Sequence, residues 1–197
     1  MYLPAVTRWV GYLEHWDARM LGVPDANTGK GGWTIFARMV RDAQRVNLQG
    51  LPWCATFVHA VIDRPDLLGK AHPGCVVLMR RMKRRGLWRD AGAGYHPSQS
   101  PAVTAPPKGG AKRCGCYRPV QGDIIFCSNA GARRPDHVGI VIACDGETVE
   151  SVDGNTVDPT GHFEPSQGGA VARRVRALDS PMIVGYGAVG GLWGSHK

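Results

Sequence analysis

The chain has 197 residues, 43% of them hydrophobic, and a formal net charge of +8. This length suits one well-packed domain and is short for two ordinary ones, so we expect residues 1–197 to form a single domain. Its 27 glycines and 14 prolines form no repeat, which indicates a loop-rich globular protein. The positive charge favours anionic partners, either nucleic acid or the polymers of a bacterial wall.

Export and membrane signals are missing from the sequence. No apolar run approaches the length of about 18 residues that a membrane span needs. The N-terminal segment carries Arg8, Glu14 and Asp17 where a signal peptide would have an unbroken apolar core. We therefore expect a protein that is made in the cytoplasm and that reaches any external target by lysis, holin-type release, phage delivery or a secretion machine.

The six cysteines are too few for a disulfide scaffold, and without an export signal we expect them to stay reduced. Cys127 and Cys144 lie in apolar runs that are typical of small buried side chains. Cys114 and Cys116 lie in a Gly/Lys-rich loop that lacks the second ligand pair of a zinc site, so an unpaired or loosely bridged loop is favoured over a metal site there.

The first 50 residues predict a helical lead-in. Apolar side chains in residues 3–20 follow the spacing of an amphipathic helix, residues 22–32 read as a loop, and a second helix is predicted over residues 33–46 with Thr34 as a possible cap. Residues 74–86 predict a further helix with a basic run, whose simplest interpretation is a solvated face. Residues 90–118 lack apolar periodicity and predict a long surface excursion.

A helix over residues 52–62 places Cys54 in its first turn, with Trp53, Phe57 and Val61 on one face. Backbone dipoles and free N–H groups at a helix start favour a thiolate, which is the form that a nucleophilic cysteine needs. The alternative is that Cys54 is simply a small buried residue.

The second half of the chain changes to short β-branched or aromatic runs separated by turns, which predict strands. These runs are residues 122–127, 137–143, 148–152, 171–175 and 183–187. Helices followed by an antiparallel sheet predict an α+β domain.

His137 opens one of these strands, and the turn that follows suggests a partner for it. A three-residue hairpin loop with Gly146 in the left-handed position would pair Ala143 with Glu147 and set His137 directly opposite Asp153. A two-residue loop would instead place Asp153 on the other face. If the strand continues, Asn155 shares the face of Asp153. An imidazole held by such a partner and placed near a thiol is the arrangement that nucleophilic acyl transfer requires.

Four ordered blocks, residues 52–58, 122–126, 136–141 and 152–156, resemble the CHAP family (cysteine, histidine-dependent amidohydrolase/peptidase). Residues 185–187 resemble the closing strand of that family, and the lead-in is similar to that of certain phage and prophage members. The resemblance implies a papain-like fold with N-terminal helices packed on a C-terminal antiparallel sheet. The sister NlpC-type group typically has Ser-Gly after its cysteine, and this chain does not.

Position by position, the resemblance makes Cys54 the nucleophile and His137 the general base and acid. Asp153 takes the place of the residue that orients the histidine, where the family usually has Glu, and Asn155 is the polar residue two positions beyond. The implied activity is hydrolysis of a peptidoglycan amide through an acyl-enzyme, as an N-acetylmuramoyl-L-alanine amidase or an endopeptidase.

The implied partners are peptidoglycan and the anionic polymers of the wall, and no oligomeric state follows from the sequence. No cofactor is predicted. Calcium binding by Asp25 and Asn27 is an alternative, but that loop lacks the carboxylate cluster of a calcium cage, so a stabilised turn is favoured.

Two rival functions remain. A nucleic-acid-binding protein would use the basic run at residues 80–89, but it would leave the ordered cysteine, histidine and Asp-Gly-Asn blocks unexplained. A catalytically silent phage structural protein of the same fold would keep all of these blocks, and only an activity assay separates it from the enzyme.

Overall fold

The computed structural model describes residues 3–15, 19, 21, 31–91, 117–129, 133–157 and 168–192. In this part of the chain helices precede a six-stranded antiparallel sheet, so the α+β prediction is confirmed. The helices are α1 (Leu3–Thr7), α2 (Ile35–Gln44), α3 (Cys54–Ile62), α4 (Pro65–Leu68) and α5 (Cys75–Arg84). The strands are β1 (Trp88–Asp90), β2 (Ile124–Cys127), β3 (His137–Cys144), β4 (Thr148–Thr156), β5 (Ala170–Ala177) and β6 (Ile183–Gly187), followed by a 3-10 turn at Gly190–Leu192. None of the helices described here has the length and apolar character needed to cross a membrane.

The sheet has the strand order β1-β6-β2-β3-β4-β5, so β3 and β4 lie inside it and are paired on both sides. Alternate side chains of its strands face two separate apolar clusters. One face packs against the helices and includes Phe126, Ile140 and Val152. The other face includes Val141 and Tyr186. Because both faces are covered, the central strands are buried almost throughout.

Helix α3 is the helix that contacts the centre of the sheet, through both β3 and β4. All of its residues except Val61 are buried. Phe57 packs edge-on against Phe36 of α2, which in turn stacks on Trp53 with a ring-centroid distance of 5.6 Å. Thr34 caps α2 as predicted, because its side chain accepts a hydrogen bond from the backbone N–H of Ala37 at 3.1 Å. The first residue of α3 is therefore held by packing on several sides.

The predicted helix over residues 3–20 is wrong in its length, because α1 ends at Thr7. Gly11 then takes a φ of +91°, which glycine adopts readily and which ends helical continuation. Beyond it Leu13 forms a β-bridge to Ala170, and the backbone N–H of His15 donates to Trp33 at 2.7 Å. Apolar spacing alone did not reveal that this segment pairs with distant backbone.

The predicted surface excursion begins later than residue 90. Trp88–Asp90 forms the edge strand β1, which pairs antiparallel with β6, and Arg89 lies opposite Tyr186. The side chain of Trp88 packs against Phe126, which explains why this short run joins the sheet. Residues 92–116, including Cys114 and Cys116, lie outside the described residues, as do Asp25 and Asn27.

The register of the β3–β4 hairpin differs from the prediction. Cys144 pairs with Val149, which leaves four residues in the turn instead of three, and Gly139, not His137, lies opposite Asp153. The longer turn alone would have moved Asp153 to the other face of the sheet. One extra residue, Ile142, bulges out of β3 and returns Asp153 to the face that carries His137. His137 and Asp153 therefore share a face as predicted, two positions apart along the strands.

Candidate active site

Cys54 is the first residue of α3. The N-cap residue before it, Trp53, makes no side-chain hydrogen bond to the first turn of the helix. The indole N–H of Trp53 instead donates to Glu14 at 2.6 Å, which fixes the approach of the chain to the helix. The N–H groups of the first helical turn have no partners within the helix, so they and the helix dipole favour negative charge at this position. The start of α3 therefore suits a thiolate at Cys54.

His137 is the first residue of β3, and its ring is held by Asp153. The Nε2 atom of His137 lies 3.1 Å from Oδ2 of Asp153, and both side chains are buried, with Asp153 fully so. Because Nε2 faces the carboxylate, Nδ1 is the nitrogen that is left for Cys54. Cys54, His137 and Asp153 thus lie together in the order nucleophile, imidazole, carboxylate.

Gly139 makes room for the His137–Asp153 contact. A Cβ atom added to Gly139 would lie 1.9 Å from Oδ1 of Asp153. The carboxylate of Asp153 therefore lies over a position where any other residue would place a side chain.

Two further residues surround Asp153, and the sequence analysis missed both. The hydroxyl of Ser151 donates to Oδ1 of Asp153 at 2.6 Å, and the guanidinium of Arg176 donates to Oδ2 at 2.6 Å and to the Ser151 hydroxyl at 2.9 Å. Ser151 could have been found, because it alternates with Asp153 on the same strand face. Arg176 is one of several arginines in β5, and the sequence contained no signal that singled it out.

These contacts shift the pKa values at the site. Burial would raise the pKa of Asp153, but His137 and Arg176 outweigh it and hold that pKa well below its usual range. Burial would likewise lower the pKa of His137, but the hydrogen bonds to Asp153 and Cys54 outweigh it and raise the pKa to about 10. The imidazole therefore favours its protonated form at neutral pH.

The pKa of Cys54 lies well below the ordinary thiol value. The largest cause is a hydrogen bond from Cys75; burial opposes it, and His137 and the backbone N–H of Val138 add to the lowering. These shifts favour a thiolate–imidazolium pair, Cys54⁻ and His137⁺, at neutral pH. A low-pKa cysteine in an electropositive position is typical of a nucleophile, while structural buried cysteines have raised pKa values.

Cys75 is a third residue that the sequence analysis missed. It is the first residue of α5, and its Sγ lies 3.5 Å from Sγ of Cys54. The hydrogen bond to Cys54 and burial both raise the pKa of Cys75 far above its usual value, so it stays a neutral thiol. The sequence could not have linked the two cysteines, since they lie 21 residues apart on different helices.

A groove with a volume of about 520 Å³ opens onto the two thiols. Cys54 and Cys75 line it together with Arg80, Arg134 and Asp136, among others. In the described part of the chain, neither arginine forms an ion pair. The groove that leads to Cys54 therefore carries unpaired positive charge in the part of the chain that the structure describes.

Asn155 is less regularly placed than the sequence analysis assumed. If the β3–β4 register continued, Asn155 would lie opposite His137, but the register of β4 with β5 shifts between Asp153 and Thr156, and Asn155 has a φ of +55°. Its Oδ1 lies beside Gly168, 3.0 Å from where a Cβ would stand there. The role that the resemblance implies for Asn155 stays a prediction.

Within the residues that the structure describes, no group of three or more histidine, cysteine or acidic side chains could hold a metal ion. Comparison with protein-family models, with curated proteins and with solved structures found no match. The assignment of a function therefore depends on the geometry of the site and on the motifs of the sequence.

Proposed function

We propose that the protein is a cysteine-dependent peptidoglycan hydrolase of the CHAP family with a papain-like fold. One observation carries the proposal: His137, whose Nε2 lies 3.1 Å from the buried carboxylate of Asp153, is close enough to Cys54 at the start of α3 to lower the pKa of the thiol through a hydrogen bond and its charge. A helix that presents its first residue to a central β-hairpin is also the arrangement that the papain-like prediction requires.

Acylation starts from the thiolate–imidazolium pair. The thiolate of Cys54 attacks the carbonyl carbon of the substrate amide, and a tetrahedral intermediate forms with its charge on oxygen. The backbone N–H of Cys54 has no acceptor within α3, because Cys54 is the first residue of that helix, so it can stabilise this oxyanion. His137 then gives its proton to the leaving nitrogen, the C–N bond breaks, and a thioester remains on Cys54.

Deacylation uses the same groups, with His137 acting as the base and Cys54 as the leaving group. The neutral imidazole of His137 takes a proton from water, the resulting nucleophile attacks the thioester, and Cys54 leaves as a thiolate beside the newly formed imidazolium. Asp153 keeps the ring in one orientation and stabilises its positive charge in both halves of the reaction. Asn155 is the further polar residue that the resemblance implies.

The substrate class follows from the family resemblance and agrees with the charge of the groove. Peptidoglycan stem peptides carry carboxylates, and wall polymers are anionic, so Arg80 and Arg134 favour their approach. The scissile bond is an amide, either between sugar and peptide or within the peptide. Both bonds need the same nucleophile, base and oxyanion donor.

Digestion of purified peptidoglycan tests the proposal. We expect the wild type to release soluble fragments, with mass spectrometry showing a new terminus at one type of amide bond, and Cys54→Ser to release none. Cys144→Ser is the matched control, because Cys144 is also a free cysteine but lies at the last residue of β3, the opposite end of the strand from His137. Fragments from Cys54→Ser, or none from the wild type on walls of several bacteria, would contradict the proposal.

The basic run in α5 gives little support to the nucleic-acid rival. Arg81 donates to the carbonyls of Leu68 and Lys70, Arg85 donates to the carbonyl of Asp66, and Lys83 stacks over the ring of Trp88 at 5.0 Å. These cations hold the loop around α4 and the start of β1. A DNA-binding assay on Cys54→Ser tests this rival, since binding would survive that substitution and fall steeply with salt.

A further inference from the structure

The thiols of Cys54 and Cys75 form a contact that the hydrolytic mechanism does not need. Their Sγ atoms lie 3.5 Å apart, and the two residues are 4% and 6% exposed. Hydrolysis by a cysteine nucleophile uses an imidazole and an oxyanion donor, but it makes no use of a second thiol. The contact between Cys75 and Cys54 therefore needs a chemical explanation other than hydrolysis.

The fold holds the two thiols in place from both sides. Cys54 is the first residue of the nine-residue helix α3, and Cys75 is the first residue of the ten-residue helix α5. The same groove reaches both sulfur atoms, so a small oxidant can approach them. Disulfide formation needs the sulfur atoms to approach to about 2.05 Å, which two side chains in van der Waals contact can achieve with small movements.

The two thiols also differ in ionisation in the way that thiol oxidation requires. His137 and the hydrogen bond from Cys75 lower the pKa of Cys54 and so favour its thiolate, which is the form that peroxides oxidise. Cys75 stays protonated and adjacent, which is the position of a cysteine that resolves a sulfenic acid into a disulfide.

We propose that Cys54 and Cys75 form a reversible disulfide when the protein meets a hydroperoxide. The Cys54 thiolate attacks one peroxide oxygen, the O–O bond breaks, and Cys54 sulfenic acid forms as the other oxygen leaves as hydroxide. The hydroxide takes a proton from the His137 imidazolium and becomes water. Cys75 then attacks the sulfenic sulfur, its proton leaves with the hydroxyl as a second water, and the S–S bond closes. Two thiols and one hydrogen peroxide thus give one disulfide and two waters, and a dithiol reductant reverses the bond.

The disulfide removes the nucleophile and protects it at the same time. A Cys54 sulfur bound to Cys75 cannot attack a carbonyl, so hydrolysis stops while the bond exists. It also cannot proceed to sulfinic acid, which is irreversible for most proteins. This inference concerns thiol chemistry and stands independently of the bond that the protein hydrolyses.

Peptide mass mapping tests the disulfide directly. Trypsin cuts after Arg45, Lys70 and Arg80, so Cys54 and Cys75 fall on separate peptides, 46–70 and 71–80, each with a single cysteine. After treatment of the folded protein with hydrogen peroxide at neutral pH, we expect these peptides to be linked, lighter than their sum by two hydrogen atoms. Dithiothreitol should return both peptides unmodified.

Two variants make the test decisive. In Cys75→Ser and Cys75→Ala we expect Cys54 to gain two oxygen atoms as sulfinic acid, which dithiothreitol does not remove, while Cys144→Ser should still form the link. Circular dichroism confirms that each variant is folded, and the mass readout needs no activity. Sulfinic acid at Cys54 in the wild type, or a link to another cysteine in place of Cys75, would overturn the inference.

Discussion

Asp153 is the residue on which the charges of the site depend. It is fully buried and accepts hydrogen bonds from His137, Ser151 and Arg176. Burial of a lone carboxylate is unfavourable, so its ionised state is stable here only because two cationic side chains contact it. The contact between Asp153 and His137 also raises the pKa of His137 and so favours an imidazolium beside Cys54.

Asp153→Asn should lower the pKa of His137 from about 10, because the side chain keeps its shape but loses its negative charge. We expect a fall of at least about one unit, the usual effect of one adjacent opposite charge. The thiolate–imidazolium pair exists between the low pKa of Cys54 and the high pKa of His137, so its upper pH limit should move down. Iodoacetamide alkylation of Cys54 across pH 5–10 and NMR titration of the His137 ring measure this shift.

Asp136→Asn is the matched control for that measurement. Asp136 precedes His137 in the chain, but its carboxylate is exposed and accepts hydrogen bonds from the backbone N–H of Asn129 at 3.0 and 3.1 Å. Removal of this charge should leave the His137 titration nearly unchanged. An equal shift in both variants would show that net charge, and not the contact with Asp153, sets the pKa of the imidazole.

Gly139→Ala should impair the site while changing only one methyl group. The new Cβ would lie 1.9 Å from Oδ1 of Asp153, so the carboxylate must move away from His137. A displacement of about 1 Å can cost about 100-fold in rate, and we expect a loss of that order in kcat on peptidoglycan. Gly191→Ala, whose Cβ would meet nothing within 4 Å, should keep wild-type kcat. Full activity in Gly139→Ala would mean that Asp153 does not orient His137.

At the scale of elements, the site depends on the contact between α3 and the β3–β4 hairpin. Cys54 is supplied by the helix, and His137 and Asp153 are supplied by the hairpin, so their distances are set by how closely these elements pack. Gly154 is the point of closest approach, because a Cβ there would lie 2.5 Å from Cβ of Phe57 and 2.8 Å from Cζ3 of Trp53.

Gly154→Ala should push β4 away from α3. Overpacking of a filled core typically costs about 1–3 kcal/mol, and we expect a loss in the free energy of unfolding in that range. Chemical denaturation followed by tryptophan fluorescence measures it, with Gly191→Ala as the control. Because Cys54 and His137 lie on the two separated elements, alkylation of Cys54 should also become slower at pH 6. A variant as stable as the wild type would show that this interface tolerates added volume.

At the scale of the whole molecule, the core contains an ionisable group with no role in the site. His59 of α3 is 1% exposed, and neither ring nitrogen has a hydrogen-bond partner in the part of the chain that the structure describes. Burial, together with the charges of Arg81 and His72, lowers its pKa to about 3. The folded protein therefore keeps His59 neutral over a pH range in which the unfolded chain protonates it.

Mild acid should destabilise the fold through His59. Below the unfolded pKa of 6.5 the unfolded state binds a proton at His59 that the folded state does not bind. The contribution of His59 to the free energy of unfolding is therefore fully present above that pH and is lost as the pH drops toward about 3. The maximum slope is about 1.4 kcal/mol per pH unit. Urea denaturation at pH 7, 6 and 5 measures the slope for the wild type and for His59→Leu, which cannot titrate. Equal slopes in the two proteins would exclude His59 as the cause.

The shared face of His137 and Asp153 was predicted from the hairpin, yet the prediction holds for a different reason. The assumed three-residue turn is a four-residue turn, and the bulge at Ile142 compensates for the difference. Alternation of side chains is a local property of a strand and can be read from the sequence. A bulge depends on how the strand fits its neighbours, so the exact pairing could not be predicted.

Local patterns were enough to predict helices followed by strands, the position of Cys54 in the first turn of a helix, the strand start at His137 and the cap at Thr34, because periodicity, caps and turns act over a few residues. The helix itself begins at Cys54, two residues later than predicted. Three features became visible only in the folded chain: Cys75 lies against Cys54, Arg176 contacts Asp153, and residues 88–90 join the sheet. These contacts connect residues that are distant in sequence, and they depend on how α3, α5 and the sheet pack together. Local sequence patterns contain no information on that packing, whereas the chemistry of the site depends on it directly.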